Sequence, residues 1–270
     1  MNTQNKIAFL GPEGTFSQPA LINQFRKSRV RFDCASSEEV FLAVQHKRAN
    51  YGVVPVENST EGAVNNTQDC LINCTLSIVG EVIVPIIHHL LVRPGTAEAN
   101  ITKIASHKQS LAQCRQWILN SFPDVELVEC SSNAEASKLA SESATIAAIA
   151  GSLAAEVYGL KILRDKVHDQ HHNSTRFLVL SNSTKNPSGS DKTSVLIYAK
   201  NKPGALFRIL EPFENLRVNL TKIETRPAKV EAWAYVFFID FLYISYVFWV
   251  IIWGPRGGLR PGTVPAPSRH

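Results

Sequence analysis

The sequence predicts an α/β fold followed by a smaller α+β unit. Three observations carry that expectation. Short apolar strands alternate with helical patterns over the first two-thirds of the chain; a polar stretch, 183–191 with its flanking Ser181 and Asn182, interrupts the alternation; and a β-α-β-β pattern follows from Lys192. The first strand is 6–10, followed by a Gly-rich turn and a helix over 17–28. A strand at 32–34 leads to Ser36, Ser37, Glu38 and Glu39, a helix-start signature, with the helix running to about 48. Strand 52–56 and a helix at 67–73 come next. The apolar run 76–92 contains Pro85, which splits it into two strand pieces or marks a crossing between subdomains. Strand 104–106, helix 110–121, strand 125–130, helix 133–141, strand 145–150 and a helix 151–158 stopped by Gly159 follow, and 177–180 returns as a strand. Beyond the linker, strand 193–199, helix 204–216 and strands 219–225 and 232–241 give the opening part of a ferredoxin-like unit.

The 270 residues are 44% hydrophobic and 19% charged, the composition of a globular protein. The formal charge is +5, but Arg256, Arg260 and Arg269 in an acid-free tail supply three of these, leaving +2 for the rest. So weak a basic balance, with no Lys/Arg cluster among aromatics, argues against nucleic acid. Five scattered cysteines, Cys34, Cys70, Cys74, Cys114 and Cys130, suggest a reducing compartment without a disulfide framework. Cys70 and Cys74 read as small core residues rather than a metal pair. The polar start, residues 1–6, carries no secretion signal, so the cytoplasm is expected.

The run 236–253 is almost wholly apolar, Asp240 being its only charge, and its 18 residues reach the lower length of a membrane span, ~17–25 residues. Its first part already serves as the third strand of the second unit, and nothing after Phe241 resembles the missing helix and fourth strand. A damaged or frame-shifted end at 242–270 is therefore favoured over a membrane anchor, and an unpaired sheet edge is expected.

Chemistry is expected at strand ends. Glu57, Asn58, Ser59, Thr60 and Glu61 follow strand 52–56; Asn58, Ser59 and Thr60 are good N-caps, so a helix is expected to start there, either merely capped or with an anion at its N-terminus. Gly11-Pro-Glu-Gly-Thr-Phe-Ser17 lets the backbone approach a ligand, with Thr15 or Ser17 as cap; it lacks the Lys-Ser/Thr of a P-loop. In Asn173-Ser-Thr-Arg-Phe177, Arg176 offers a bidentate grip on a carboxylate and Thr175 a hydroxyl, the alternative being an ordinary loop with a surface Arg. His107, beside Lys108 and Gln109, is either a ligand or acid/base group or a structural histidine. The cluster from His168 to His172 looks metal-like, yet a loop does not fix the geometry that metal binding needs. No Ser-His-Asp order or nucleophile elbow appears, so the site reads as hydrogen-bonding rather than covalent.

Taken in order, these pieces resemble the prephenate dehydratases. The matching strings are Gly11-Pro-Glu-Gly-Thr-Phe-Ser17, Pro55-Val-Glu-Asn-Ser-Thr-Glu-Gly62, Ser131-Ser-Asn-Ala-Glu-Ala136, Ala147-Ala-Ile-Ala-Gly151 and Thr175-Arg-Phe177. Lys202-Pro-Gly-Ala-Leu206 and Glu224-Thr-Arg-Pro227 resemble the phenylalanine-binding strings of the ACT regulatory domain. The resemblance implies a two-lobed, periplasmic-binding-protein-like catalytic domain over 1–182, with lobes of about 1–83 plus 166–182 and about 84–165. A linker at 183–191 and a partial ACT domain at 192–241 would follow. It implies decarboxylating dehydration of prephenate to phenylpyruvate in L-phenylalanine biosynthesis, without cofactor or metal. The alternative is a non-catalytic small-carboxylate binding protein of the same fold. The implied catalytic residues are Thr175, Arg176, Glu57, Asn58 and Ser59. Substrate-binding roles fall to Thr15, Thr60, His107, Gln109, Asn173 and Phe177, and phenylalanine-binding ones to Gly204, Ala205, Leu206, Glu224, Thr225, Arg226 and Pro227. A cytoplasmic homo-oligomer, dimer or tetramer, is implied. Nothing ahead of Lys6 resembles a chorismate mutase segment, so a monofunctional enzyme is expected. The chain departs from the family at Lys108, where His-Pro-Gln is usual, and at Thr225, where Glu-Ser-Arg-Pro is usual.

Overall fold

The computed structural model describes residues 5–26, 30–170, 172–186, 188–189, 191–228 and 234–242, with the backbone of 252–253. It divides into one unit up to Thr184 and a second from Lys185. In chain order the first unit holds β1 (Lys6–Leu10), α1 (Ser17–Gln24), β2 (Val30–Cys34), α2 (Ser37–Gln45), β3 (Tyr51–Asn58), β4 (Gly62–Ala63), α3 (Asn65–Ile72), β5 (Ser77–Pro85) and β6 (His89–Val92). It continues through β7 (Lys103–His107), α4 (Lys108–Gln113), α5 (Arg115–Ser121), β8 (Glu126–Cys130), α6 (Asn133–Glu142), β9 (Ile146–Ala150), α7 (Ser152–Val157), β10 (Lys161–Arg164) and β11 (Ser174–Ser181).

Two mixed sheets result. The first has the order β2-β1-β3-β11-β5, with β4 folded back on β3; β1 runs parallel to β2 and β3, and β11 antiparallel to β3 and β5. The second has the order β10-β6-β9-β7-β8, parallel across β9, β7 and β8. Both are covered on two faces, which is why β1 and β9 read as unbroken apolar runs: Ile7, Ala8 and Phe9, and Ala147 to Ala150, are fully buried. Helix α2 starts as its sequence predicts. Ser36 Oγ accepts from the Glu39 amide at 3.2 Å, and the Glu39 carboxylate accepts from the Ala35 amide at 3.0 Å. It packs so closely on β3 that a Cβ at Gly52 would lie 2.9 Å from Val40 Cγ1.

The chain passes between the sheets twice, from β5 to β6 and from β10 to β11. The two crossings bond to each other: Ile86 N–H donates to the Asn173 carbonyl and Val167 N–H to the His88 carbonyl, each at 2.8 Å. Pro85 thus marks a crossing, as its position in the apolar run predicts.

Two local expectations are corrected, and one strand was not expected. No helix starts at Asn58 to Thr60: β3 continues through Asn58, turns over 59–61, and returns as β4, with Gly62 at φ +81°. The cause is the Asn58 side chain, whose carbonyl satisfies the turn amides and so replaces a helical turn by an Asx turn. The helix expected over 110–121 is two helices, broken at Cys114 and started by His107 rather than Ser110. Asp169 explains the break: its carboxylate accepts from the Gln116 and Trp117 amides at 2.9 Å, capping α5 from a distant segment. β10 had no sequence signal distinct from the helix before it.

The second unit has β12 (Lys192–Ala199), α8 (Ala205–Asn215), β13 (Asn219–Pro227), β14 (Tyr235–Leu242) and β15 (Ile252–Trp253). The sheet order is β13-β14-β12-β15. α8 is capped at its start by Gly204, whose left-handed φ of +73° favours glycine. The unpaired edge expected beside β12 is corrected: Ile252 and Trp253 pair there. They run parallel to β12, whereas the last strand of a complete β-α-β-β-α-β unit would return antiparallel to the first. The rest of the unusual tail lies outside the described residues, and no described helix is long and apolar enough to cross a membrane.

Candidate functional site

A cavity of about 720 Å³ opens in the first unit, at the crossings between its two sheets. Its lining comes from the turn before α1 (Phe16, Ser17), the β3–β4 hairpin (Pro55, Asn58, Glu61 to Val64) and the first crossing (Ile86, His88). α4 with its N-cap (His107 to Ser110, Ala112, Gln113), Asn133 and β11 (Thr175, Phe177) complete it. Of the residues expected from sequence, Asn58, His107, Gln109, Thr175 and Phe177 meet here. Asn173 sits behind the wall, buried and bonded to it.

One hydrogen-bonded chain organises the floor. Asn58 Oδ1 accepts from the Thr60 and Glu61 amides at 2.9 and 3.0 Å, which fixes which way its amide points. Its Nδ2 must then donate, and it does so to Thr175 Oγ1 at 2.9 Å and to Asn173 Oδ1 at 2.8 Å. Asn173 Nδ2 in turn donates to Gln113 Oε1 at 2.9 Å, and the same oxygen faces His88 Nε2 at 2.9 Å. Since a carbonyl oxygen only accepts, His88 carries its proton on Nε2. Backbone amides at one end thus set the polarity of four side chains in succession. Thr175 already accepts from Asn58, so its own hydroxyl proton is directed away from Asn58.

His88 is 1% exposed, and its Nδ1 has no hydrogen-bond partner among the described residues. Burial lowers its pKa from the ordinary 6.5 to about 4; nearby His168 and His89 push the same way, against the Gln113 bond. The ring is therefore neutral near pH 7. Sequence reasoning passed over His88 and Gln113. The pairing of a histidine at the crossing with a glutamine at the far end of α4 has no local signature.

Arg176 and Glu57, expected as catalytic, are not in the lining. Side chains alternate along β11, so Thr175 and Phe177 face the cavity while Arg176 faces the other way. There its guanidinium meets Glu81 at 2.7 Å and Glu57 at 3.5 Å, with the Arg side chain 12% exposed. Ser59 is also drawn aside: it accepts from the Ser174 amide at 2.9 Å and donates to the His172 carbonyl at 3.3 Å. Thr60 contributes its amide to the turn, and Thr15 donates to the Leu10 carbonyl at 3.3 Å. The cation that does line the cavity is the exposed Lys108.

His107 accepts from the Gln109 amide at 3.4 Å, a weak cap of α4. Of the histidine-rich segment, His168 Nδ1 accepts from the His88 amide at 3.4 Å, and His171 lies outside the described residues. No three His, Cys, Asp or Glu side chains gather as a metal would need among the described residues. All five cysteines are unpaired, and burial raises the pKa of each thiol. In the second unit, Glu224 to Pro227 end the edge strand β13, and Ala205 and Leu206 open α8.

A two-sheet α/β unit whose largely apolar cavity carries a hydrogen-bonded polar floor defines a protein with a cleft suited to a small molecule that bears polar groups. The comparisons narrow this class. The prephenate dehydratase family profile matches residues 7–185 and that of the ACT domain residues 193–242. The chain belongs to the prephenate dehydratase family. It is 50% identical over 237 residues to the bifunctional chorismate mutase/prephenate dehydratase of Pseudomonas aeruginosa, covering 88% of this chain and 65% of the relative. The chain thus spans slightly less than two-thirds of the length of the bifunctional relatives it matches. It is 36% identical to the prephenate dehydratase of Mycobacteroides abscessus, covering 87% of this chain and 80% of that one. Among solved structures, prephenate dehydratase from Arthrobacter aurescens in complex with L-Phe superposes with a TM-score of 0.81 at 34% identity, covering 88% and 80% of the two chains. A protein described as a novel type of quorum quenching acylase superposes at 0.78 with 31% identity, covering 87% and 86%.

Proposed function

We propose that the chain converts prephenate to phenylpyruvate, with loss of carbon dioxide and water, as a step of L-phenylalanine biosynthesis in the cytoplasm. The observation that carries this is the Asn58–Thr175 pair on the cavity floor. Prephenate carries a ring carboxylate, a pyruvyl carboxylate and a hydroxyl that must leave as the ring becomes aromatic. The electrons of the breaking carbon–carboxylate bond move into the ring and expel the hydroxyl, so no cofactor is called for. A threonine hydroxyl is too weak an acid to transfer its proton early. With Asn58 Nδ2 donating to its oxygen, however, the Thr175 hydroxyl is a fixed donor toward the departing oxygen. Much of the rate would come from holding the dianion in one pose. Lys108 supplies the positive charge for one carboxylate, while Gln109, Ser110 and Asn133 offer neutral hydrogen bonds. Unpaired cysteines support the cytoplasmic placement.

The test is phenylpyruvate formation by the purified chain. Replacing Thr175 by Ala should lower kcat by about 10²-fold, the cost of one lost transition-state donor, while Thr175→Ser retains most of it. Wild-type kcat in Thr175→Ala would remove Thr175 from the mechanism; prephenate binding without turnover would favour a binding protein.

The division of labour belongs to the same proposal. Residues 1–182 form the catalytic domain, with its two lobes joined at the crossings, and 192–241 form a regulatory domain that takes L-phenylalanine at Gly204, Ala205, Leu206 and Glu224 to Pro227. A dimer or tetramer is the proposed assembly, checked by light scattering on the eluting protein.

A further inference from the structure

Every polar side chain in the floor network has a stated use except His88. It is buried at the first crossing, under the edge of the Phe16 ring with centroids 5.4 Å apart. It has one hydrogen bond for its ring, to Gln113, and leaves Nδ1 with no partner among the described residues. An unsatisfied buried acceptor is destabilising, and an apolar side chain of similar size would avoid it. Packing alone therefore does not account for an imidazole here. Departures from the best local choice are expected where a site has a task.

The task is legible in the geometry. Gln113 Oε1 receives two donors, Asn173 Nδ2 and His88 Nε2–H, both at 2.9 Å. Two bonds from different directions hold a planar amide more firmly than one, and both go to the oxygen. That leaves Nε2 of Gln113 as the end of the amide not used in the network, on a residue that lines the cavity. With only Asn173 present, the amide keeps its oxygen engaged but swings about that single bond.

We propose that His88 is a positioning residue: its Nε2–H locks the Gln113 amide so that Gln113 Nε2 is presented to a carboxylate or carbonyl oxygen of the bound substrate. The identity of that substrate rests on the dehydratase reading above; the locking of Gln113 does not. A neutral ring is the form that does this, because a second proton on Nδ1 would find no acceptor among the described residues. His88 touches no reacting atom in this scheme and acts only through Gln113.

The test uses the full chain in three forms: wild type, His88→Leu, which removes the donor, and His88→Gln, whose terminal amide restores a donor near the Nε2 position. With prephenate, His88→Leu should lower kcat/KM by about tenfold or more through misplacement of a binding group, and His88→Gln should recover most of it. The melting temperature of His88→Leu should not fall, since an unsatisfied acceptor has been removed. A purely structural role predicts the opposite: both variants lose stability and neither loses kcat/KM selectively. If the wild type does not turn over prephenate, the functional reading fails, and a second readout decides the proposal on its own. In isotope-labelled protein, His88 should show the Nε2–H tautomer, and the Gln113 side-chain amide signals should shift and broaden in His88→Leu and return in His88→Gln. Gln113 amide signals unchanged in His88→Leu, or His88→Gln no better than His88→Leu in kcat/KM, would overturn the proposal.

Discussion

The depressed pKa of His88 has a consequence for stability. Its folded value, about 4, lies below the ordinary 6.5 because burial penalises the charged ring. Between those values the unfolded chain binds a proton at this position and the folded chain does not. Stability contributed by keeping the ring neutral is thus fully present above pH 6.5 and is lost as pH falls toward 4, at up to about 1.4 kcal/mol per pH unit. Urea unfolding of wild type and His88→Gln at several pH values should show wild type losing stability relative to the variant as pH falls across that window; parallel pH profiles would mean that the folded His88 pKa is not depressed. Arg176 makes the contrasting case. Bound by Glu81 and Glu57 on the far face of β11, it ties three strands together. Arg176→Leu should cost about 1 kcal/mol, because the glutamates remain a third exposed and water replaces much of the lost pairing. Its KM for prephenate should stay near wild type; a rise of about tenfold or more would restore Arg176 to the substrate. The placement of Arg176 was legible in principle. A strand turns alternate residues to opposite faces, so Thr175 and Phe177 could not share the cavity with the residue between them.

At the scale of elements, the sequence was most readable where one physical rule acted alone. β1 and α2, with its Ser36–Glu39 box, fall where pattern and caps put them. It was least readable where a side chain competed with the backbone. Asn58, Ser59 and Thr60 are helix caps and turn formers alike, and the choice between them depends on β11 lying beside β3, which local sequence does not state. The break at Cys114 likewise depends on Asp169, some fifty residues on. The Asn58 hairpin has a separable role in stability and in chemistry. Asn58→Asp keeps an oxygen for the Thr60 and Glu61 amides but loses the donor to Thr175 and Asn173, whereas Asn58→Ala loses both functions. Asn58→Ala should therefore be destabilised by about 1–3 kcal/mol, as expected for orphaned amides. Asn58→Asp should keep the turn but also lose stability, because a buried carboxylate then faces the Asn173 carbonyl oxygen, and should lose about 10²-fold in kcat. Full activity in Asn58→Asp would disprove the polarising role given to Asn58.

At the scale of the whole molecule, the chain joins a two-sheet α/β unit to a unit with one sheet and, among the described residues, one helix. The alternation of strands and helices announced the first, and the strings at Lys202 and Glu224 the second. What pattern could not supply was how the second unit ends, because the run 236–253 is almost wholly apolar and carries no period to assign. The consequence for regulation turns on Gly204. Its left-handed backbone starts α8, and any Cβ there would meet both a strained φ and the Arg208 guanidinium at 2.9 Å. If L-phenylalanine binds at this turn, Gly204→Val should abolish its effect while leaving kcat and KM for prephenate unchanged, since no residue of the cavity belongs to the second unit. Activity measured against rising phenylalanine is the assay. A wild type that ignores phenylalanine would show that the unit, with β15 parallel where an antiparallel strand completes the usual sheet, lacks the regulatory role. A Gly204→Val protein still fully inhibited would place the effector elsewhere.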